Sequence, residues 1–143
     1  MSEDLRPSGK PLSSDDLNQL ADAWISYWKA PKGSPIRDQL SGATDLYELE
    51  YHNPEDLWKL ILLIHERDQS SNIQEVLSAG PIENLLVKHG DSFIDRIETQ
   101  ARSDPKFAKL LGGVWKSRMS DANWSRLQSV WDRRGWDGIP DSN

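Results

Sequence analysis

The chain contains no cysteine. That one absence excludes a disulfide framework, a thiolate metal site and a thiol nucleophile together. Long apolar runs are missing as well. The longest, Leu60–Ile64, is far short of the roughly 20 residues that span a bilayer. The first ten residues, MSEDLRPSGK, are polar and hold no apolar stretch, so neither a signal peptide nor a membrane segment is expected, and a cytoplasmic protein is the default. Histidine is scarce: three in 143 residues. His52, His65 and His89 are not spaced as HExxH, and each falls at or beside an expected helix end, where the dipole favours it or water reaches it. Gly112-Gly113 is not a phosphate loop, because no Lys-Ser/Thr follows and no strand precedes it. No Gly-x-Ser-x-Gly elbow occurs. No catalytic residue, no metal ligand and no cofactor is therefore assigned.

What is present is helical punctuation. Ser13 or Ser14 starts a helix whose apolar stripe is Leu17, Leu20, Ala21, Trp24, Tyr27 and Trp28, close to a 3.6-residue period. Pro31, Gly33 and Pro35 end it. Residues 36–53 are less regular. Ile36–Leu40 suits a helical turn, and Thr44 suits the cap of a short helix through Glu50. The alternation in LYELEY also allows a strand, but a lone strand has no partner here. Asn53-Pro54 opens PEDLWKLILLIHERD, apolar nearly all round from Leu57 to Ile64, which predicts a central helix. A short helix over Ile73, Val76 and Leu77 follows, with Gly80-Pro81 read as a stop and a start. Ile82, Leu85 and Leu86 make the next stripe, which His89-Gly90 ends. Phe93, Ile94, Ile97 and Ala101 make another. Asp104-Pro105 starts a helix with Phe107, Leu110, Leu111, Val114 and Trp115 on one side. Two glycines inside that stripe cost about 1 kcal/mol each relative to alanine, so Gly112-Gly113 implies a close approach, a kink or a break that turns Trp115 inward. Ser120-Asp121 caps a last helix carrying Trp124, Leu127 and Trp131.

The expected fold is all-α: about seven short helices packed as consecutive antiparallel hairpins, either a short α-solenoid-like stack or an irregular bundle. Residues 1–12 are expected as a disordered N-terminal tail, 13–135 as a single helical domain and 136–143 as a C-terminal tail.

Charge is uneven. Residues 1–104 carry 10 basic and 19 acidic side chains, whereas residues 105–134 carry seven basic and two acidic ones. The overall formal charge of −6 disfavours nucleic acid as a partner. Asp91, Asp95 and Glu98 fall on one side of one helix, as a solvated face or an acidic strip for a basic partner. Glu83, His89, Asp91, Asp95, Glu98 and Trp136 are the candidate partner-binding residues. Seven tryptophans serve cores and interfaces equally well, and most lie on stripes that packing needs.

The segments GPIENLL (residues 80–86), His89-Gly90, FIDRIE (residues 93–98) and LGGVW (residues 111–115), with PEDLWKLILLI upstream, carry a resemblance. They resemble a family of small uncharacterised bacterial proteins with the pattern GPxExLL…HG…FIDRIE…LLGGVW. Ile82 stands where that pattern has Leu. The resemblance covers about residues 54–131 and implies no activity. The residues themselves favour a protein-binding module of the immunity or inhibitor type, acting stoichiometrically on another protein. One alternative is an enzyme with a site around Glu83, His89, Asp91 and Asp95. Another is a nucleic-acid-associated regulator acting through basic residues 105–134.

Overall fold

In a computed structural model, which describes residues 11–134 and 136, every regular element is helical. The all-α expectation holds. Eight α-helical segments occur among the described residues, one more than the seven or so read from the sequence. The chain packs as two compact units, Met1–Asp68 and Gln69–Asn143. The proposed tails fall largely outside the described residues, at 1–10 and 137–143.

In the first unit, α1 (Ser14–Lys29) begins with a capping box. The Ser13 hydroxyl accepts from the Asp16 N–H at 3.0 Å, and the Asp16 carboxylate accepts in return from the Ser13 N–H. Its stripe buries Leu17, Ala21 and Trp24. Then follow α2 (Pro35–Leu40), a 3₁₀ turn over Ser41–Thr44, and α3 (Tyr47–His52). The irregular stretch is thus helical rather than extended. Thr44 does not cap α3. Its hydroxyl bonds back to the Ser41 carbonyl, while Asp45 accepts from the Tyr47 N–H at 3.2 Å.

Helix α4 (Pro54–Arg67) lies against α1 and α3. Leu57, Trp58, Leu60, Ile61 and Ile64 are buried, but Leu62 and Leu63 are only half-buried, so its apolar circumference is not fully covered. His65 is buried, not wet as a helix-end histidine would be. Polar ties fix both ends of α4. Buried Asp56 accepts from the Leu12 N–H at 2.8 Å. Arg67 donates to the Asn18 carbonyl and to Asp22 on α1, and Lys29 pairs with Asp68 at 2.9 Å.

The second unit opens with α5 (Ser71–Leu77), which does not stop at Gly80-Pro81. The chain runs on through a π-helical turn, Ser78–Ile82, into α6 (Glu83–Ser103). A π turn absorbs the missing proline N–H by shifting the hydrogen-bond register, so the dipeptide read as a stop acts as a bulge. The break expected at His89-Gly90 is real but milder. His89, at φ −137° and ψ 29°, kinks α6 without ending it. Helix α7 (Pro105–Leu111) is capped by Asp104, whose carboxylate accepts from the Lys106 and Phe107 N–H groups. It stops four residues short of Trp115, which stays exposed rather than turning inward. Ser120 caps α8 (Asp121–Val130). Both α7 and α8 pack on α6. Three tryptophans, Trp24, Trp58 and Trp124, are buried core residues.

Ile61 is fully buried on α4. Ile61→Ala is expected to cost about 2–5 kcal/mol through lost burial and an incompletely collapsed cavity. An unchanged urea midpoint in the variant would contradict that.

Candidate functional site

The acidic strip on α6 is partnered within the chain. Arg126 on α8 donates through Nε to Glu98 Oε2 at 2.8 Å and through one terminal nitrogen to Glu98 Oε1 at 2.6 Å. The same nitrogen reaches Asp95 at 2.5 Å. Glu98 is 8% exposed, so this fork-on-carboxylate contact sits at a packed helix interface. The Arg126 guanidinium holds the Glu98 carboxyl below the usual range, against burial, which opposes ionisation. One turn earlier, Asn123 donates to Asp91 at 2.9 Å. Gly90 makes this approach possible: a Cβ there would lie 2.6 Å from Asn123 Nδ2. Asp91, Asp95 and Glu98 are therefore brought together as the seat of α8.

Glu83, at the start of α6, has different surroundings. Its carboxylate accepts from the Trp115 N–H and the Ser117 hydroxyl, in the loop between α7 and α8. Ser117 takes φ +48°, a left-handed conformation uncommon for a residue with a side chain. Burial raises the Glu83 pKa, and the two hydrogen bonds partly offset it. His89 is half-buried at the kink.

Trp136, expected in the tail, is bound to the fold. Its indole N–H donates to the Lys109 carbonyl at 2.7 Å. Its ring lies against Gly112 and Gly113, where added Cβ atoms would meet ring carbons at 2.7 and 2.5 Å. The glycine pair is thus explained by close approach. The Asp132 N–H donates to the Ala108 carbonyl at 2.9 Å, and Arg133 donates to the Gly112 carbonyl at 3.1 Å. The segment after α8 therefore supplies the donors that the last turn of α7 lacks. Beside Trp136, a cleft of about 330 Å³ is lined by Gln69, Ser71, Gln74, Glu75, Lys106 and Lys109.

The basic run 105–134 is largely used internally. Lys116 pairs with Asp121, and Arg126 with the α6 strip. Arg133 also stands 5.0 Å from the Trp131 ring centre. Arg134 pairs with Asp132 at 2.8 Å and holds its carboxyl down to about 2.

Sequence reading missed one surface. Tyr47 and Tyr51, one turn apart on α3, form a tilted ring pair with centroids 4.5 Å apart and are 55% and 49% exposed. Residues 38–56 hold six carboxylates and neither lysine nor arginine. Arg37, just before them, is turned onto the rings of Tyr27 and Trp28 at 4.8 and 5.2 Å and donates to the Tyr27 carbonyl. The whole formal charge lies in this unit: residues 1–68 carry 7 basic and 13 acidic side chains, and residues 69–143 carry 10 of each. The signal was available as two tyrosines at i and i+4 within an acid-only run.

Residues 32–135 match the family of unknown function DUF6869, and the chain belongs to that family. The match begins well before the 54 expected from the resemblance, so α2 and α3 lie inside the family's span. No curated protein and no solved structure matches the chain.

Two titrations follow. The folded-state pKa of Glu98 is lowered, so its pairing contributes stability above the ordinary carboxylate range and loses it as pH falls through the folded value. Arg126→Gln should lower the urea midpoint at pH 7, with the gap from wild type closing below about pH 4. For Glu83 the sign is opposite. Its raised pKa favours the protonated fold, and that contribution is lost as pH rises through the folded value. Glu83→Gln, which keeps an oxygen for the Trp115 N–H, should gain midpoint relative to wild type between about pH 4 and neutrality. A pH-independent difference would count against the assignment.

Proposed function

We propose that this family member is a cytoplasmic protein-binding module that engages one basic protein stoichiometrically, as immunity and inhibitor proteins do. The contact is the α2–α3 surface. The observation that carries the reading is the exposed Tyr47–Tyr51 pair inside an acid-only run. Tyrosine offers large contact area at low entropic cost and is enriched among the residues that dominate binding energy. Carboxylates around it act on encounter rate and on choice of partner more than on raw affinity. The charge argument favours a basic partner: the first unit carries −6 and the second is formally neutral.

The α6 strip is a weaker candidate for the same role, because Arg126 and Asn123 already occupy it. The nucleic-acid alternative loses support because Lys116, Arg126 and Arg134 are ion-paired within the chain.

The test compares wild type with the Tyr47→Ala/Tyr51→Ala variant as baits in extracts of the native cells. A basic protein should be retained by wild type, form a 1:1 complex on light scattering, and be lost with the variant. Each tyrosine should contribute about 2 kcal/mol, roughly thirtyfold in Kd. The variant's own thermal midpoint should be unchanged, since both side chains are exposed. Retention of the same proteins by both baits would overturn the reading.

A further inference from the structure

The cleft beside Trp136 belongs to the second unit and has no part in the tyrosine surface. Three features make it a built pocket. Its wall is a rigid aromatic platform: the Trp136 indole is pinned by its N–H to the Lys109 carbonyl and pressed against two glycines that leave no room for a side chain. Its rim carries Lys106 and Lys109, at i and i+3 on one face of α7. No ion pair within the described residues neutralises Lys106, and Lys109 acts on Asp132 only through its field. The opposite wall, on α5, offers Ser71, Gln74 and Glu75. The Gln74 side-chain nitrogen is buried without a hydrogen-bond partner among the described residues.

We propose that this cleft binds a nucleoside monophosphate. A lysine pair suits a phosphate, which ammonium groups hold as point charges. A fixed indole face suits a base, since every base has a π-face to stack. Glu75 accepts hydrogen bonds from the N–H donors of a base, and the Ser71 hydroxyl can donate or accept. A purely anionic ligand would be opposed by Glu75, whereas a base with N–H donors is helped by it. The volume, about 330 Å³, stands at the small end of ligand pockets and admits one such molecule, not an oligonucleotide.

The experiment is a titration of the full ¹⁵N-labelled chain with AMP and GMP, with inorganic phosphate and adenosine in parallel. The indole N–H of Trp136 and the side-chain amide of Gln74 report on the cleft. Saturable shifts of both with a nucleotide are expected. Phosphate or adenosine alone should bind at least about tenfold more weakly, because each lacks half the contacts. Lys106→Gln/Lys109→Gln should weaken the nucleotide by a similar factor. These lysines are exposed, so the thermal midpoint should hold and separate lost binding from lost folding. Three results overturn the proposal: no shift with either nucleotide at millimolar concentration, equal binding of phosphate alone, or unchanged affinity in the lysine variant. None of them bears on the tyrosine surface, which is tested by a different variant in a different unit.

Discussion

The contact between Arg126 and the α6 carboxylates is the constraint on which the second unit depends. A planar guanidinium laid on a carboxylate fixes distance and rotation together, which a point charge does not. With Arg126 on Glu98 and Asp95, α8 takes one register along α6. That register puts Asn123 over Gly90 and Asp91, and Trp124 in the core. It also sets where the chain leaves α8, and hence how Asp132, Arg133 and Trp136 meet the end of α7. There, the Asp132 N–H, Arg133 and the Trp136 indole donate to the carbonyls of Ala108, Gly112 and Lys109. The charged contact is not an isolated surface pair of small worth. It ties together a sequence of geometric consequences.

The first unit uses a different device. Its helices α1 and α4 bury apolar stripes against each other, and the polar ties sit at the ends of α4. Between them, α2 buries none of its residues, and α3 buries only Leu49. A segment that contributes so little to the core keeps most of its side chains at the surface, and tyrosines and carboxylates collect there. That contrast between α4 and α2–α3 is the structural basis for reading the latter as a contact surface.

Most of the helices were legible because their signals are local. Ser13, Asp104 and Ser120 cap where capping chemistry places them, and the stripes of α1 and α6 bury the residues their periods select. The errors share one cause. Gly80-Pro81 and His89-Gly90 look like helix ends over a few residues, but whether a helix ends or bends is decided by what packs beside it, and sequence does not show that. The acidic strip looked solvated because Arg126 lies about thirty positions downstream. Trp136 looked like part of a tail because a lone aromatic after a glycine has no period to place it. Tyr47 and Tyr51 were hidden by the strand-like alternation of LYELEY, which drew attention to secondary structure and away from exposure.

Gly90 and Asn123 have a consequence for how this chain can change over time. The glycine is needed only because the far end of the Asn123 side chain occupies the space a Cβ would take. The amide in turn has its partner in Asp91, the next residue after that glycine. Replacing Gly90 first forces the amide off its acceptor; shortening Asn123 first removes the reason for glycine. The two positions, thirty-three apart in the chain, are therefore one inherited character. Their order of replacement decides whether an intermediate sequence is tolerated, and lineages that have lost the asparagine should be the ones in which the glycine drifts.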